Sequence, residues 1–371
     1  MRILVINCGS ASLKYDLIDT DAANASLESG SVEALHRSEL IELLQHMSAR
    51  IDAVGHRVVH GADRFVEPTL IDEYFLEELG AVSELAPLHN APSLEFIRLS
   101  RKVLGEAVPM VAVFDTAFHR NLPPEAAEYG IPAGLARKHR IRRYGFHGLA
   151  HRYMLERYCE LTGRPKEQVR LITLQLGGGC SAAAIRNGRS VDTTMGFTPL
   201  EGLLMGTRCG DLDPAIPGYL ARQEDVPVEE VERWLNHRSG LLGVSETSND
   251  MRRLLEAEQR GDHRAATAIA IFCYRIRKAI GAYLAALGGA DAVVFGGGIG
   301  ENSPEVRERV CGGMEWCGLT LDGVRNRELR GAEARISSDA ARLEAWVIPA
   351  REAVVIAADS ARVLAGITAP A

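Results

Sequence analysis

The chain has 371 residues, a length that predicts one large or two medium domains. Hydrophobic residues make up 46% and charged residues 25% of it, which excludes a disordered or collagen-like chain. The net charge of −7 provides no basic field for nucleic acid or anionic lipid. The longest uncharged stretch, residues 171–185, is shorter than the roughly 20 residues of a membrane span. We therefore expect a soluble, cytoplasmic protein with no nucleic-acid or membrane partner.

The first predicted element is a strand over residues 2–6, followed by a tight turn at 7–11 and a second strand over 12–18. Gly9 lets the backbone expose N–H groups in this turn, which favours an anion there. An ordinary hairpin with a solvated lysine fits the pattern about as well. The groups that could bind a phosphate, or a water on Mg²⁺, are Asn7, Ser10, Ser12 and Lys14.

Further along the chain, strand-like runs alternate with helical stretches, which is the pattern of an α/β protein. Residues 19–50 are polar and helical in tendency, and they contain no recognisable site. Apolar residues at helical spacing predict a helix over 264–287, closed by Gly288 and Gly289. The strand-like runs are residues 53–59, 109–114, 171–176 and 292–295.

Two more glycine-rich turns directly follow predicted strands. Gly177–Gly179 lies between two apolar runs that resemble the strand–turn–strand unit at the start of the chain. The run GGGIGENSP at 296–304 predicts a turn and then a helix that begins near Ser303. It is not a Walker A loop, and its match to G-x-G-x-x-G fails at Glu301. Each turn alone also fits a bulge or a close strand contact, but three of them favour a phosphotransferase with a split domain.

Histidines, arginines and an aspartate stand in loops where glycines flank them or directly after predicted strands. Binding groups concentrate in such loops, although each of these residues could also be a hydrogen-bonding partner in the core. A metal site and a nucleophilic serine are weaker alternatives, because the sequence contains neither the H-E-x-x-H spacing of a metal site nor the G-x-S-x-G turn of a nucleophilic serine. The seven cysteines contain no C-x-x-C pair. The candidates are Arg57, His60, His89, Asp115, His147 and Arg208.

Eight segments together resemble the acetate/propionate kinase family of the actin-like ATPase superfamily, nearly from end to end. They are NCGSASLKYDL (7–17), GHRVVHGADRF (55–65), LAPLHNAP (85–92), FDTAFH (114–119), YGFHGLAHRYM (144–154), TPLEGLLMGTRCGDLDPAI (198–216), SNDMRRL (248–254) and FGGGIGENSPEVR (295–307). The resemblance implies two actin-like (ribonuclease H-like) α/β domains with a cleft between them. It implies an N-terminal domain of residues 1–116 plus 353–371, and a nucleotide-binding, dimer-forming domain of residues 117–352.

The resemblance also implies a role for each matched residue. Asn7 and Glu352 would lie near Mg²⁺, or Mn²⁺ in its place, and Asp115, His147 and Arg208 would be catalytic. The acid would contact Arg57, Val59, Leu88, His89, Phe146 and Pro199. ATP or ADP, as co-substrate, would contact Ser10, Ser12, Lys14, Gln175, Leu176, Gly177, Gly178, Gly179, Asp250, Met251, Arg252, Gly298, Ile299, Gly300, Glu301 and Asn302. The implied assembly is a homodimer.

The activity implied is reversible transfer of the γ-phosphoryl group of ATP to acetate. Because a carboxylate has an ordinary pKa near 4, it is already an ionised nucleophile at neutral pH. The alternatives are another short-chain acyl kinase, a non-catalytic ATP-binding protein, and a sugar kinase, which would need an aspartate base. Departures from the family pattern fall on phosphate and metal contacts, so the phosphoryl donor stays open between ATP and pyrophosphate. They are Ala11 for serine, Gln175 for histidine, Gly178 for asparagine, and Ala350 and Arg351 in the segment before Glu352.

Overall fold

A computed structural model describes residues 1–8, 12–33, 37–82 and 87–368 of the chain. Two compact units share these residues. Unit 1 consists of Met1–Arg120, Phe146–Tyr153 and Arg351–Ala371, and unit 2 consists of Asn121–Gly145 and Met154–Ala350. The predicted α/β class with two domains is confirmed. No described helix is long and apolar enough to cross a membrane.

Unit 1 is built on a sheet of six strands. In chain order the strands are β1 (Arg2–Cys8), β2 (Ser12–Asp19), β3 (Ala25–Glu33), β4 (Ala53–Val58), β5 (Thr69–Leu70) and β6 (Met110–Phe114). Their order across the sheet is β3-β2-β1-β4-β6-β5, with β1, β4 and β6 parallel. Its helices are α1 (Arg37–Met47), α2 (Glu73–Val82), α3 (Pro87–Leu104) and, from the end of the chain, α15 (Glu352–Thr368).

Unit 2 has a second sheet of six strands with the same order. The strands are β7 (Arg170–Leu176), β8 (Cys180–Arg186), β9 (Arg189–Thr193), β10 (Ala292–Gly296), β11 (Ala334–Arg335) and β12 (Glu344–Val347), arranged β9-β8-β7-β10-β12-β11. Position by position, this repeats the order of the first sheet. The likeness of the two strand–turn–strand units in the sequence therefore reflects two sheets of one topology.

The other described α-helices belong to unit 2, apart from the first turns of one of them. They are α4 (Pro124–Ala127), α5 (Ala133–His139), α6 (Gly148–Thr162, whose first turns belong to unit 1), α7 (Ala215–Gln223), α8 (Val228–His237), α9 (Gly240–Ser245), α10 (Met251–Gln259), α11 (His263–Leu287), α12 (Gly297–Asn302), α13 (Pro304–Cys311) and α14 (Gly323–Glu328). The predicted helix over 264–287 is confirmed as α11, which ends at Gly288 in the left-handed conformation.

Two local predictions are wrong. The stretch 19–50 is not helical throughout, because β3 pairs antiparallel with β2 before α1 begins. This strand carries few apolar residues and leaves Leu27 half exposed, so main-chain pairing rather than an apolar face holds it. The run at 296–300 is not an open turn, since α12 begins at Gly297 directly after β10, whereas the helix predicted near Ser303 is confirmed as α13, which Ser303 caps.

The C-terminal helix α15 covers one face of the first sheet. Val355 and Ile356 join a buried cluster with Ile3, Val5 and Val113 from the strands. Gly55 in β4 permits this close approach, since a Cβ there would lie 2.7 Å from Ile356 Cγ2. Packing thus brings Glu352, the first residue of α15, to the sheet that carries the N-terminal turn.

A buried histidine in β4 makes stability depend on pH. His56 is 2% exposed, and burial lowers its pKa to about 3 from an ordinary 6.5. Burial also lowers the pKa of His151. The unfolded chain binds protons below about pH 6.5 that the folded chain does not, so stability falls with falling pH by up to about 1.4 kcal/mol per pH unit for each histidine.

We therefore expect the free energy of unfolding, measured by urea denaturation, to decrease steadily between pH 6.5 and 5. His56→Gln is expected to remove up to about 1.4 kcal/mol per pH unit from that slope at the acidic end of this range. An unchanged slope in this variant would show that His56 is not a neutral buried group.

Candidate active site

Three polar side chains of unit 1 meet where parallel strands end. Asn7 lies near the end of β1, Arg57 lies in β4, and Asp115 directly follows β6. The carboxyl ends of β1, β4 and β6 share one edge of the sheet, where α/β proteins place ligands. Arg57 donates from Nε to Asp115 Oδ1 at 3.0 Å, from Nη2 to Asp115 Oδ2 in a short bond, and from Nη1 to Asn7 Oδ1 at 2.9 Å.

Glu352 completes this cluster from the start of α15. Asn7 Nδ2 donates to Glu352 Oε2 at 2.8 Å, and the same oxygen lies 3.9 Å from Arg57 Nε. Asp115 is fully buried, and the side chains of Arg57 and Glu352 are only 12% and 17% exposed. The hydrogen bonds to Asp115 and Asn7 fix the plane of the Arg57 guanidinium group, because its N–H groups form a rigid fork.

The charges of the cluster do not balance. Two carboxylates face one guanidinium group, and burial raises the pKa of Glu352, an effect that Arg57 opposes and Asp115 reinforces. A further cation beside Glu352 would relieve this excess. The described residues contain no cluster of three or more histidine, cysteine, aspartate or glutamate side chains for a metal. Mg²⁺ needs no such cage, since it keeps several waters and uses one or two carboxylates with substrate phosphates.

His147 stands beside this cluster on the turn that begins α6. Its φ is +55°, and its carbonyl oxygen accepts from His151 N at 3.0 Å. Gly148 N donates to Asp115 O at 2.9 Å, and a Cβ at Gly148 would lie 2.1 Å from that oxygen. The glycine thus lets the turn with His147 sit directly on the Asp115 backbone. The rings of Phe146, 1% exposed, and His60 pack in a T-shaped arrangement with 5.4 Å between their centroids.

Other predicted residues of unit 1 are placed as follows. Val59, 8% exposed, lies two positions after Arg57. Lys14 is exposed on β2 opposite Asn7, where its charge acts on Glu352. Ser10 and the side chains of Ser12, Leu88 and His89 lie outside the described residues.

In unit 2, the loop that carries Arg208 is tightly held. Arg208 donates from Nη1 to Pro199 O at 3.2 Å. Gly240 adopts φ +65°, and a Cβ there would lie 2.3 Å from Met205 O and 2.8 Å from Arg208 O. The backbone around Arg208 therefore packs against the first residue of α9, and its guanidinium group is anchored to the carbonyl of Pro199.

The second glycine turn connects β7 and β8 in unit 2. Gly177 N donates to Gly179 O at 3.1 Å, and Gly206 N donates to Gly178 O at 3.0 Å. A Cβ at Gly178 would meet no atom within 4 Å, so packing does not demand glycine there. Gln175, at the end of β7, has a buried Oε1 without a hydrogen-bond partner in the described chain. An unsatisfied polar atom beside an open turn fits a bound polar ligand.

The third glycine run, predicted as a turn, forms the first turn of α12. A Cβ at Gly297, where φ is +75°, would lie 2.5 Å from Leu176 O, so the turn packs on the end of β7. Glu301 Oε1 accepts from Ala350 N at 3.1 Å, and Asn302 Nδ2 donates to Gly298 O at 3.0 Å. The run 297–302, which includes Ile299 and Gly300, is thus ordered by its own side chains.

Asp250, Met251 and Arg252 form the start of α10. Asp250 Oδ1 accepts from Arg252 N at 2.9 Å, and Asp250 Oδ2 accepts from Arg252 Nη2 at 2.7 Å. Arg252 is 86% exposed, whereas Met251 is 3% exposed. This corner therefore presents a helix start and an exposed cation.

Sequence reasoning missed Arg307, a fully buried arginine of α13. It donates at 2.8–3.0 Å to Asn326 Oδ1 and to the carbonyl oxygens of Gly300, Glu301, Asn326 and Leu329. Carbonyl groups at the end of a helix lack partners within it, and a cation there is favourable. Arg307 thus holds the end of α12, but no motif marks a residue whose partners are mostly main-chain oxygens.

We expect Arg307→Met to lower the free energy of unfolding by about 3 kcal/mol or more, because each orphaned buried acceptor costs about 1–3 kcal/mol. Urea denaturation measures this loss. Arg330→Met is the matched control, since Arg330 is half exposed and contributes less than about 1 kcal/mol through its ion pair. Equal stability of the two variants would contradict this role of Arg307.

The repeated sheet topology, the glycine turn between β7 and β8 and the anchored arginines fit a phosphotransferase of the actin-like ATPase fold. The model of the acetokinase family matches residues 40–358, and the chain belongs to this family, as its motifs predict. It is 44% identical to the acetate kinase of Chloroherpeton thalassium, over 98% of this chain and 99% of that protein. It is 45% identical to the acetate kinase of Solibacter usitatus, over the full length of both.

Solved structures agree with this assignment. The acetate kinase of Porphyromonas gingivalis superposes with a TM-score of 0.91 at 36% identity, covering 98% of this chain and 99% of that one. A propionate kinase of Francisella tularensis superposes with a TM-score of 0.89 at 36% identity, covering 96% and 98%. The chain is therefore similar to enzymes named for two different acids.

Proposed function

We propose that the protein is an acetate kinase. It transfers the γ-phosphoryl group of ATP to acetate in a reversible, Mg²⁺-dependent reaction that yields acetyl phosphate and ADP. The observation that carries the proposal is the similarity, end to end, to proteins named acetate kinase. The buried cluster of Asn7, Arg57, Asp115 and Glu352 supports it, because a fixed arginine among carboxylates suits an acid substrate and a metal ion.

In this proposal the acid needs no general base, since its carboxylate is ionised at neutral pH. Arg57 binds that carboxylate, and its plane is fixed by Asp115 and Asn7. The difficulty of the reaction is the approach of two anions in line. Fixed positive groups overcome it by neutralising the phosphoryl oxygens and holding the geometry.

Mg²⁺ would be held by Glu352 through oxygen or bound water, with Asn7 and Asp115 orienting the ligands. When bound, it neutralises phosphate charge. His147 and Arg208 would stabilise the transferring phosphoryl group. The donor would contact Lys14, the turn from Gln175 to Gly179, the corner from Asp250 to Arg252, and the run from Gly298 to Asn302.

Acid length would be measured by apolar groups, among them Val59, Phe146 and Pro199. One methylene changes binding in such a pocket by only about 1–3 kcal/mol. We therefore propose a preference for acetate over propionate that is a matter of degree, in line with the similarity to a propionate kinase.

We also propose a cytoplasmic homodimer. The exposed Tyr274 of α11, with 60% of its surface accessible, lines two cavities of unit 2 with volumes of about 530 and 620 Å³. A second copy of the chain would cover such a face. Light scattering after gel filtration tests the dimer, and a monomeric mass at micromolar concentration would contradict it.

The proposed activity is tested by trapping acyl phosphate with hydroxylamine. Mg-ATP is supplied with acetate, propionate or butyrate, and Mg-pyrophosphate replaces Mg-ATP in a parallel series. We expect hydroxamate from acetate and ATP at the highest kcat/KM. A faster reaction with propionate or pyrophosphate would correct the acid or the donor. No hydroxamate from any pair would overturn the proposal.

A further inference from the structure

We propose that Tyr129, Arg143 and Glu201 form a positioning network that holds Arg208 in its reactive orientation. The inference rests on the proposed function, in which Arg208 stabilises the transferring phosphoryl group. None of these three residues contacts substrate in the proposal. They act through the loop from residue 196 to 211, which carries both Pro199 and Arg208.

Glu201 is the centre of the network. Its Oε1 accepts from Arg143 Nη2 at 2.6 Å, and its Oε2 accepts a short hydrogen bond from the Tyr129 hydroxyl group. Tyr129 Oη in turn accepts from Phe197 N at 2.8 Å. The Glu201 side chain is 31% exposed and that of Arg143 is 19% exposed, so these charge-assisted bonds are partly shielded from water.

Arg143 ties the network to surrounding backbone. It donates from Nε to Ala126 O at 3.1 Å, and from Nη1 to Thr193 O at 3.0 Å and Thr194 O at 3.1 Å. Its guanidinium carbon lies 5.6 Å from the centre of the Tyr129 ring. One side chain thus joins the end of α4, the end of β9 and the loop that begins at Gly196.

The loop packs directly against this network. A Cβ at Gly196 would lie 1.6 Å from Glu201 Oε2 and 2.1 Å from Tyr129 Oη. At the other end of the loop, Gly202 N donates to Asp211 Oδ1 at 2.8 Å, and Asp211 N donates to Gly202 O at 2.9 Å. The segment between Gly202 and Asp211, which contains Arg208, is therefore closed into a loop directly beyond Glu201.

Pro199 connects the network to Arg208. It lies two residues before Glu201, and its carbonyl oxygen accepts from Arg208 Nη1 at 3.2 Å. Because Pro199 lies so close to Glu201 in the chain, we expect a shift of Glu201 to displace this carbonyl group and with it the guanidinium group of Arg208. A displacement of about 1 Å at a reacting group can cost about 100-fold in rate. The hydrogen bonds that join Arg143, Tyr129 and Glu201 do not touch the reacting groups. They can nevertheless control kcat, because they set the direction of the Arg208 guanidinium group.

The test measures kcat and KM for Glu201→Gln and Tyr129→Phe. We expect kcat to fall about 10–100-fold for Glu201→Gln and less for Tyr129→Phe, with KM for acetate and ATP within about threefold. Glu333→Gln is the matched control, because Glu333 pairs with Arg157 in the same unit and directly precedes β11, at the opposite edge of the sheet from β9. It is expected to retain kcat. Melting temperatures show which variants are folded, and Tyr129→Phe, which removes one oxygen, is the variant expected to disturb folding least.

The decisive measurement is a double-mutant cycle with Arg208→Ala. Because the network acts through Arg208, adding Glu201→Gln to Arg208→Ala should lower kcat less than about threefold further. Losses that multiply would show a structural role only and overturn the inference, while leaving the proposed function intact. An unchanged kcat in Glu201→Gln would overturn it as well. If Arg208→Ala itself retained kcat, the role of Arg208 in the proposed function would be wrong, and the network would have no reactive arginine to position.

Discussion

Replacing Arg208 by alanine is expected to lower kcat for acetyl phosphate formation by about 10³–10⁵-fold, the effect that an arginine supplies in other phosphoryl-transfer enzymes. Arg208 is anchored through Nη1 to Pro199 O, so its positive charge is fixed before the reaction begins. A fixed charge aimed at the negative charge that develops on the phosphoryl group during transfer stabilises the transition state more than the ground state, at no cost in reorganisation. The KM values for acetate and ATP should therefore change far less than kcat.

Two variants sharpen this prediction. Arg208→Lys keeps the charge but loses the planar fork, so we expect kcat between those of Arg208→Ala and the original protein. Arg222→Ala removes an exposed arginine of α7 in the same unit and should leave kcat unchanged. Steady-state kinetics measure all three. A loss below about tenfold in Arg208→Ala would contradict the assigned role, because it leaves most of the expected stabilisation unaccounted for.

The second large effect is expected at the pair of Arg57 and Asp115. Arg57→Met leaves the fully buried Asp115 without its partner, and breaking a buried pair in this way costs about 3–5 kcal/mol. The same variant loses the group proposed to bind the acid. We therefore expect both a lower free energy of unfolding, measured in urea, and a severe loss of kcat/KM for acetate.

Replacing both partners separates these two losses. In Arg57→Met/Asp115→Leu both charges of the pair are removed, so most of the lost free energy of unfolding should return. The loss of kcat/KM for acetate should remain, because the group proposed to bind the acid is still missing. Asp115→Asn alone retains the shape of the site and should weaken the orientation of Arg57. A double variant no more stable than Arg57→Met would contradict the view that the unpaired carboxylate causes the loss.

The fold was predictable where local pattern and tertiary packing agree. Apolar residues at helical spacing and a glycine stop define α11, and buried apolar runs define β4, β6, β7 and β10. β3 escaped prediction because its polar sequence shows no apolar alternation, and pairing with β2 decides its conformation. α12 escaped because glycines disfavour a helix, whereas packing on β7 and the bonds of Arg307 impose one.

The sequence predicted which residues belong to the candidate site but not which of them contact one another. Glycine-flanked positions and strand ends drew attention to Arg57, Asp115, His147 and Arg208, and the family motifs assigned them roles. The bond between Asn7 and Glu352 joins residues 345 positions apart, so no local pattern could reveal it. No local pattern could reveal the network of Tyr129, Arg143 and Glu201 either, because its hydrogen bonds join residues up to 72 positions apart.

The most direct measurement of the central claim is phosphorus NMR of the protein with Mg-ATP and acetate. The account predicts that acetyl phosphate and ADP appear in equal amounts, that neither forms without acetate, and that adding ADP and acetyl phosphate regenerates ATP. Release of inorganic phosphate at the same rate with and without acetate, with no acetyl phosphate signal, would contradict phosphoryl transfer to a carboxylate.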